Sequence, residues 1–404
     1  MMLPFLALTA LAPNPYAVEG ERLTKQTIAT FYDAKARIWK PPVESSESVG
    51  TQGYTFWPSL LGWQAVIEAA KVDGKRWKPE IATYYDSLEQ YFDKADHAYC
   101  AWTYFPGNDD KFYDDNTWAA VACMEAFEVT GDTRYRLRAI EIFDGFVKGG
   151  WDSRGGLRWG TKAGIEDRKD RTVSATAAGA LAALLIGRTH DRKANQEWAK
   201  RALAWIKGLS QPGGLIQDGL KDDGTLLPTV WTYNTGVPIR AAVEYVRQTG
   251  DKDTRAWAIR MGDACLDRKQ SPMFDGAVTD LNKRYWWDGT YFVHYLVDGL
   301  RELSRFTKDP KYTNESRREA DYIRTYLKDS DGLYLRNMRL WTIDTARTES
   351  FYKLTGQTAP ALAADSSERS SEASVKDKPV AERPLAKTLL ANAGAARMFW
   401  LLAH

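Results

Sequence analysis

The chain has 404 residues, enough for one large domain or two ordinary ones. Its 55 basic and 53 acidic side chains leave a formal net charge of +2, and no Lys/Arg-rich run stands out, which argues against a nucleic-acid partner. Aromatic residues are abundant, with 16 Trp, 20 Tyr and 14 Phe. A core takes most of its volume from aliphatic side chains, so part of this surplus predicts a surface that binds flat, hydroxylated molecules such as sugars.

The cysteines and histidines argue against several kinds of site. Cys100, Cys123 and Cys265 are widely separated and fit neither a disulfide framework nor a zinc-binding spacing. The four histidines contain no HxH or HExxH arrangement, so we expect no metal site and no cofactor. Their scarcity also argues against Ser-His-Asp chemistry.

The chain begins with an apolar run, MMLPFLALTALA, that is too short to span a bilayer. The run resembles the central region of a signal peptide, and Ala10 and Ala12 have the spacing of a cleavage site. No Lys or Arg precedes it and Pro13 follows it, both of which are atypical. We predict that residues 1–17 are a signal peptide, with a ragged N-terminus as the alternative, and that the protein is secreted or periplasmic.

Short turn signals recur along the chain at a nearly constant interval. Neighbouring turns are separated by 58, 59, 60 and 58 residues. Repeats of this length indicate one supersecondary unit used several times. The turns lie at Asp73, Gly131, His190, Gly250 and Lys308.

Each turn separates two kinds of helical pattern. The segment before it is apolar nearly all round, as in TVSATAAGALAALLIG, and predicts an inner helix that is buried on all sides. The segment after it is amphipathic, as in NQEWAKRALAWIKGL, and predicts an outer helix. An Asp in most of these turns is typical of the N-cap of the second helix.

Five inner–outer hairpins are visible, and a sixth pairs the first amphipathic segment with the last apolar one. Because that pair joins the chain ends into a ring, we predict an all-α fold, an (α/α)6 barrel, with one catalytic domain over residues 18–404. Residues 356–384 are rich in Ser, Ala, Pro and charge and are predicted to form a flexible surface loop. The inner helices are expected to start near Trp57, Asp114, Thr172, Tyr233, Thr290 and Leu385.

The connections that lead into the inner helices open at one end of such a barrel, here called the mouth. They concentrate Trp, Tyr, Asp and Asn, whereas the opposite turns are short and charged, so a functional site is expected at the mouth. Asp109 and Asp110, in one of these connections, do not have the spacing of an EF-hand loop and are assigned structural or solvated roles.

Asp114 and Asp115 enter the mouth at the start of an inner helix, where unpaired N–H groups favour ionised carboxylates. One Asp can then be charged while its neighbour, crowded by that charge, holds a proton. A proton donor beside a carboxylate indicates glycoside hydrolysis, and a separation of about 5 Å between the carboxyl groups gives a retaining mechanism. The alternative is that Asp114 is an N-cap and Asp115 lies in the solvated first turn.

Three motifs, in their order and spacing, resemble glycoside hydrolase family 76, the endo-α-1,6-mannanases. They are FYDDNTWAAVACMEAFEVTGD, GLIQDGLKDDG and WTYNTGVPIRAAVEYVRQTGD, and the resemblance covers the chain from about Tyr54 to Phe306. It implies an (α/α)6 barrel that cuts α-1,6-linked mannan with retention. One stretch departs from the family, because DRKDRTVSAT stands where a Lys-Asn pair often precedes the third inner helix.

The resemblance also implies residue roles. Asp114 is implied as the nucleophile and Asp115 as the general acid/base. Asp218 is implied to support the sugar in subsite −1, and Tyr233 and Asn234 to line the cleft. The substrate implied is therefore an α-mannan, bound by a protein that we expect to be a monomer without a membrane span.

The tryptophans of the mouth connections are further candidates for substrate binding, since a sugar ring can stack its C–H face on an indole. We predict this role for Trp57, Trp159 and Trp287. Trp63 and Trp118 lie a turn into their helices and are assigned to packing.

Two alternatives remain open from the sequence. A six-hairpin hydrolase of the unsaturated glucuronyl type needs basic residues for a uronate, and four are available in one connection. A catalytically silent mannan-binding protein is the other alternative, against which the intact Asp pair argues. The basic residues are Arg158, Lys162, Arg168 and Arg171.

Overall fold

Thirteen α-helices account for most of the described residues, which in this computed structural model are 14–45, 47 and 53–404. In chain order they are α1 (Pro15–Phe31), α2 (Phe56–Val72), α3 (Gly74–Leu88), α4 (Tyr113–Thr130), α5 (Thr133–Gly145), α6 (Val173–Gly187), α7 (Arg192–Lys207), α8 (Thr232–Thr249), α9 (Lys252–Leu266), α10 (Thr290–Thr307), α11 (Lys311–Tyr326), α12 (Thr345–Thr355) and α13 (Leu389–Ala403).

Six of these helices form a closed inner ring. Helices α2, α4, α6, α8, α10 and α13 each pack against the next, and α13 packs against α2. The outer helices α1, α3, α5, α7, α9 and α11 surround them. In α6 every side chain except Ser174 is buried, whereas α7 buries only one face. The predicted (α/α)6 barrel is therefore confirmed.

The turns that join inner to outer helices follow the predicted capping pattern. Asp73, Asp132, Asp191 and Asp251 are the N-caps of α3, α5, α7 and α9, and each side chain accepts a hydrogen bond from a backbone N–H in the first helical turn. An N-cap of this kind stabilises a helix by about 1 kcal/mol. Because each of these turns follows the C-terminal end of an inner helix, they lie together at the end of the barrel opposite the mouth.

Five of the six inner helices start within a residue of the predicted position, and the sixth prediction is wrong. Helix α13 begins at Leu389, four residues after the predicted Leu385. Leu385 instead forms an antiparallel bridge with Arg369, which holds its backbone extended. Thr388 is the N-cap, and its side chain accepts a hydrogen bond from the backbone N–H of Ala391 at 3.3 Å.

Residues 356–384 form an irregular connection, as their composition predicts, but part of it is buried. Glu368, Arg369 and Ser370 are at most 5% exposed. The Glu368 carboxylate accepts a hydrogen bond from the backbone N–H of Asn337 at 2.9 Å, which attaches the segment to the mouth. Flexibility of the exposed remainder stays a prediction.

The predicted leader falls mostly on residues 1–13, which lie outside the described residues. Residues 15–17 belong to the first turn of α1, and the Asn14 side chain accepts a hydrogen bond from the backbone N–H of Tyr16. The predicted domain start at residue 18 falls within α1 and stays a prediction. Among the described helices, none is long and apolar enough to cross a membrane.

Short strands shape the mouth. They are β1 (Tyr32–Asp33), β2 (Ile38–Trp39), β3 (Phe92–Asp93), β4 (Ala98–Tyr99), β5 (Arg171–Thr172), β6 (Gly219–Leu220) and β7 (Leu226–Leu227). Strands β1–β2 and β3–β4 are antiparallel pairs, and β5, β6 and β7 form a three-stranded antiparallel sheet. This sheet pairs Thr172 with Gly219, and Gly219 with Leu227. It holds the connections before α6 and α8 beside each other.

Two glycines allow α8 and α10 to approach closely. A Cβ atom on Gly236 would collide with the backbone of Leu296, and one on Gly299 would collide with the backbone of Gly236. Backbone atoms cannot move aside as a flexible side chain can. Glycine at both positions therefore fixes the spacing of these inner helices, whose N-terminal ends lie at the mouth.

A network of buried charges closes the barrel on the side away from the mouth. Arg397 of α13 is fully buried and donates to Asp298 of α10 at 2.8 Å. Arg240 of α8 donates to the same carboxylate at 2.7 Å and also pairs with Glu125 of α4. Glu68 of α2 lies 3.5 Å from Arg397. Five of the six inner helices are thereby joined by ion pairs.

Candidate active site

A cavity of about 570 Å³ opens at the mouth of the barrel, among the N-terminal ends of the inner helices. This is a volume typical of small-molecule and cofactor sites. Its lining combines aromatic rings with carboxyl groups, and no histidine lines it among the described residues. The carboxyl groups belong to Asp110, Asp114, Asp115, Asp167, Asp170 and Asp218.

Asp114 is held at the cavity by three hydrogen bonds. Its Oδ2 atom accepts from Trp159 Nε1 at 2.9 Å and from the Ser174 hydroxyl at 3.1 Å, while Oδ1 accepts from the backbone N–H of Asp115 at 3.0 Å. Burial raises the pKa of Asp114 to about 6, and these donors oppose the rise. Asp114 is therefore oriented and can ionise near neutral pH.

Asp115 has a different environment. Its carboxyl group lines the same cavity but makes no side-chain hydrogen bond within the described part of the chain. Burial and the negative charge of Asp114 raise the pKa of Asp115 well above its ordinary value. The Asp115 carboxyl group therefore holds its proton to a higher pH than an ordinary aspartate does.

The alternative assignment of Asp114 as an N-cap is wrong. The N-cap of α4 is Phe112, which makes no side-chain capping bond, and both aspartates lie in the first turn. Carboxylates in a first turn are favoured by the helix dipole. The position of the pair thus supplies the electrostatic environment that the sequence predicted, without a capping bond from Asp114.

Asp218 reaches the cavity from the three-stranded sheet. It precedes β6, and its backbone accepts from Val173 and donates to Leu227. The Tyr233 hydroxyl donates to Asp218 Oδ1 at 2.8 Å. Burial raises the pKa of Asp218, and the neighbouring donors of Tyr233, Asn234 and Trp231 oppose the rise. Asp218 and Tyr233 both line the cavity.

Asn234 and Trp287 do not line the cavity. Asn234 is fully buried behind Asp218, so its predicted place on the cleft wall is wrong. The indole of Trp287 donates to the Pro272 carbonyl at 2.6 Å and lies 5.4 Å from the Trp231 ring. Its place in the connection is right, but its indole N–H is bonded within that same connection and its ring lies beside Trp231.

The cavity walls carry several packed aromatic rings. Trp159 packs edge-on against Phe112 at 5.1 Å, and the Arg168 guanidinium lies over both rings. On another side, Trp57 stacks on Phe292 at 5.7 Å. Trp57 and Trp159 both line the cavity as predicted for their place in the mouth.

Trp63 and Trp118 differ, although both were assigned to packing. Trp63 is 1% exposed and its indole donates to the Ile81 carbonyl at 3.0 Å, in agreement with a packing role. Trp118 stacks on Tyr295 at 4.2 Å, and both rings also line the cavity. Trp118 thus packs and forms part of the cavity surface.

The basic residues that a uronate site requires are engaged with carboxylates or carbonyls. Arg158 pairs with Asp152, and Arg171 donates to the Gly155 carbonyl. Of the four basic residues that the sequence offers for a uronate, Arg168 is the one that lines the cavity.

Arg168 itself is not free, because it pairs with Asp110 at 3.5 Å and with Asp167 at 3.2 Å. Lys162 lies 3.4 Å from the same Asp110 carboxylate. Asp110 is therefore buried and paired, as the structural assignment predicted, and it lines the cavity as well. No group of three or more His, Cys, Asp and Glu side chains that could hold a metal ion is present in the described ranges.

A model of the family described as "Glycosyl hydrolase family 76" matches residues 18–375, which is most of the chain. The chain belongs to glycoside hydrolase family 76. It is accordingly a glycosidase, and its six-hairpin fold matches that of a family 76 structure.

Relatives of this family 76 chain include proteins from fungi and bacteria. "Meiotically up-regulated gene 191 protein" of Schizosaccharomyces pombe is 26% identical over 420 aligned residues, which span 98% of this chain and 93% of the relative. A family 76 mannosidase from Bacteroides thetaiotaomicron has a similar structure, with a TM-score of 0.74 at 15% identity, covering 96% of this chain and 98% of the other.

A second similar structure carries more information about chemistry. It is an inactive variant of an α-1,6-mannanase of Salegentibacter sp. HEL1_6, with two adjacent aspartates replaced by asparagine, in complex with α-1,6-mannotriose. Its TM-score is 0.70 at 17% identity, and the match covers 96% of this chain and 99% of the other.

Sequence reasoning missed several of the residues that line the cavity. Trp102, Asp170 and Ser174 line the cavity. Ser174 and Asp170 lie in the DRKDRTVSAT stretch that departs from the family pattern, which was the one available signal. Trp102 lies shortly after β4, and a strand this short has no recognisable pattern in the sequence.

Replacing Ser174 by alanine is expected to shift the pH dependence of this glycosidase. The Ser174 hydroxyl stabilises the ionised form of Asp114, so its loss raises the pKa of Asp114. The acid limb of the kcat/KM profile should then move to higher pH by about one unit, since a hydrogen bond to a charged group contributes about 1.5 kcal/mol. The check is a pH–rate profile; an unchanged acid limb with an unchanged Tm would contradict the assignment.

Proposed function

We propose that the protein is a retaining glycoside hydrolase that cleaves α-1,6-mannosidic bonds in mannan through a covalent glycosyl-enzyme. The observation that carries the proposal is the unequal environment of two neighbouring carboxyl groups in one cavity. Asp114 accepts three hydrogen bonds, which favour the carboxylate, whereas the Asp115 side chain accepts none and has its pKa raised well above the ordinary value. A retaining glycosidase needs one ionised and one protonated carboxyl group.

In the first step, a carboxylate oxygen of Asp114 forms a bond to the anomeric carbon as the bond to the glycosidic oxygen breaks. Asp115 donates its proton to that oxygen, so the sugar leaves as a neutral alcohol. The three donors on Asp114 hold its carboxylate in place, which lowers the cost of reaching the reactive geometry.

In the second step, Asp115 is the general base. It removes a proton from a water molecule, whose oxygen bonds to the anomeric carbon and releases Asp114 as a carboxylate. Asp115 regains its proton in this step and is ready for the next cycle. Two inversions at the anomeric carbon give net retention, so the first product has the α configuration.

The proposed substrate rests on similar proteins as well as on geometry. The Salegentibacter protein is an α-1,6-mannanase, and its variant lacking two adjacent aspartates is inactive and holds α-1,6-mannotriose. Asp114 and Asp115 are an adjacent pair inside the cavity of this chain. That correspondence supports both the glycan and the role of the pair.

The other two candidate functions are less well supported by the site. The unsaturated glucuronyl type needs free basic groups, and Arg168 at the cavity is already paired with two carboxylates. A silent mannan-binding protein has no need for a carboxyl group with a raised pKa that faces the cavity without a hydrogen-bond partner. Asp115 is such a group, which favours an enzyme.

The test is product analysis on linear α-1,6-mannan and on branched yeast mannan. We expect cleavage of the linear polymer, with the α anomer appearing first by NMR before mutarotation. Release of the β anomer first would contradict the covalent intermediate. Cleavage of neither mannan would contradict the proposed substrate.

Asp218→Asn is expected to lower kcat/KM roughly a hundredfold, a loss typical of removing one polar contact from a transition state. We propose that the Asp218 carboxylate supports the sugar in subsite −1, because it lines the same cavity as Asp114 and is oriented by Tyr233. The melting temperature should stay nearly constant, since asparagine has the same shape.

The matched control for this substitution is Asp223→Asn. Asp223 lies in the same hairpin but is exposed, and its side chain accepts from the backbone N–H of Thr225, outside the cavity. We expect this variant to keep its activity. A large fall in Tm for Asp218→Asn with normal turnover would show that Asp218 only organises the hairpin.

We also propose that the enzyme acts outside the cytoplasm and as a monomer. A polymeric mannan does not cross a membrane, and the apolar run at the start of the sequence supports export. A single chain supplies both proposed catalytic carboxyl groups together with Asp218. Fractionation of the expressing cells and light scattering of the purified protein test the two points.

A further inference from the structure

The connection between β4 and α4 forms a loop whose base is part of the cavity wall. Ala101 and Asp110 face each other across this base, where the Ala101 N–H donates to the Asp110 carbonyl at 2.8 Å. Ala101, Trp102 and Asp110 all line the cavity. The remaining residues, 103–107, extend from the rim and are exposed. We call residues 102–107 the rim loop.

The rim loop displays two aromatic side chains to solvent. Tyr104 is 46% exposed and Phe105 is 54% exposed. Among the described residues, the other aromatic side chain with comparable exposure is Tyr352 on α12, which is 58% exposed. Two neighbouring exposed rings at the edge of a cavity are unusual, because a protein surface gains nothing by keeping such rings in water.

The backbone of the rim loop is held although its rings are not packed. The Tyr104 N–H donates to the Gln90 carbonyl at 2.8 Å, and the Asn108 N–H donates to the Phe105 carbonyl at 3.1 Å. The loop is therefore ordered by its main chain, so its two rings are presented without being needed to fold the loop.

The rings of the rim loop also differ from those inside the mouth in their contacts. Trp57, Trp159 and Phe292 each pack against another aromatic ring. Within the described structure, Trp102, Tyr104 and Phe105 have no aromatic or cation–π partner. Other rings of the mouth do have one, as the contact between Trp231 and Trp287 and that between Tyr233 and Phe292 show. The faces of the rim-loop rings are thus available to a ligand.

We propose that Trp102, Tyr104 and Phe105 form a distal saccharide-binding subsite, which holds neutral hexose units of a glycan chain that extends out of the cavity. The proposal rests on the proposed function and deepens it. Trp102 joins the two regions, since it lines the cavity and is followed two residues later by the exposed pair. A glycan that leaves the cavity past Trp102 runs alongside these rings.

The chemistry of the rim loop suits a neutral sugar. Its six residues, WTYFPG, carry no charge and offer the Thr103 and Tyr104 hydroxyl groups beside the rings. A sugar presents C–H faces that pack on aromatic rings and hydroxyl groups that hydrogen-bond. The surface is small, so it adds affinity to a ligand that is already bound rather than binding a protein by itself.

The experiment compares wild type with the Tyr104→Ala/Phe105→Ala double variant on linear α-1,6-mannooligosaccharides of two to six units. We expect the ratio of kcat/KM for the hexasaccharide to that for the disaccharide to fall about tenfold, mostly through KM, as one lost aromatic contact would give. Tyr352→Ala is the matched control, because it removes an equally exposed ring away from the mouth, and its ratio should not change.

A second measurement does not depend on catalysis. The Asp114→Ala variant is compared with the same variant that also carries Tyr104→Ala and Phe105→Ala. The method is affinity electrophoresis in gels that contain α-1,6-mannan or a neutral glucan. Retardation should weaken for the double variant in the mannan gel. If the enzyme cleaves neither mannan but the double substitution still weakens retardation in the glucan gel, the proposed substrate is wrong and the proposed subsite is supported.

Two results would overturn the subsite. The first is an equal loss of kcat/KM on short and long substrates, which would show that the rings only shape the cavity. The second is retardation that the double substitution leaves unchanged in every gel. A melting temperature within a degree or so of wild type should accompany the expected result, because neither ring is packed.

Discussion

Replacing Asp115 by alanine is expected to lower activity on natural mannan more than a thousandfold, yet to spare the first step on an activated aryl α-mannoside. The natural leaving group needs a proton from Asp115, whereas an activated phenol departs without one. The glycosyl-enzyme should then accumulate. Azide should restore turnover by attacking this intermediate, which gives the α-mannosyl azide, identifiable by NMR.

Asp114→Ala provides the comparison. Without the nucleophile no glycosyl-enzyme forms, and turnover should fall by a similar or larger factor on both substrates. Azide can then attack only the substrate itself, so any azide product should have the β configuration. If Asp114→Ala and Asp115→Ala both keep near-normal specific activity, the assignment of the pair is wrong.

Arg397→Ala is expected to destabilise the barrel by about 3–5 kcal/mol, the range found when one partner of a buried ion pair is removed. Arg397 is fully buried and donates to Asp298, with Glu68 nearby. Its loss leaves these carboxylates with less positive charge and opens a cavity. Urea unfolding at constant pH measures the change in the free energy of unfolding.

The control for Arg397 is Arg317→Ala, which removes an exposed arginine from the outer helix α11. Its free energy of unfolding should change by less than about 0.5 kcal/mol. A small effect at Arg397 as well would mean that the other cations of the network compensate for it.

The same network has a definite pH dependence. Although burial opposes it, the charges of Arg240 and Arg397 lower the pKa of Asp298 to about 2 in the folded protein. A group whose pKa is lowered by folding contributes stability above its unfolded pKa, which is near 4, and loses it as the pH falls toward 2. Acid unfolding of Arg397→Ala should therefore begin at higher pH than that of wild type.

The barrel was predictable because each repeat can be recognised from the pattern of neighbouring residues in the sequence. The difference between a helix buried all round and a one-sided helix is visible in α6 and α7, and each Asp cap marks where an outer helix begins. The start of α13 was missed because Leu385 belongs to an extended bridge with Arg369. Such a bridge depends on a segment sixteen residues earlier, so a local apolar pattern does not show it.

Helix α12 was missed for a related reason. Its eleven residues, TARTESFYKLT, bury only Phe351 and Thr355, so the sequence contains no apolar stripe that predicts a helix. The burial of Glu368 was also unpredictable, because a carboxylate enters the interior only where donors such as the Asn337 N–H meet it. Both features depend on contacts with distant parts of the chain.

The site was predictable for some of its residues and not for others. Asp114 and Asp115 sit in the first turn of α4, so their place at the mouth followed from the barrel alone. Trp287 lies in the predicted connection and Asn234 in the first turn of α8, but neither lines the cavity. The direction of a side chain in a connection depends on its neighbours, as the contact of Trp287 with Trp231 shows.

The pairing of the first and last helices has a consequence for where new chain ends can be placed. Helices α1 and α13 pack together, and the Asn14 side chain donates to the Ala403 carbonyl at 3.2 Å. A short linker could therefore join residue 404 to residue 14, and new ends could be opened in the exposed turn between Gly250 and Asp251, opposite the mouth. Such a circular permutant would keep every inner contact, because a closed ring of hairpins has no first member.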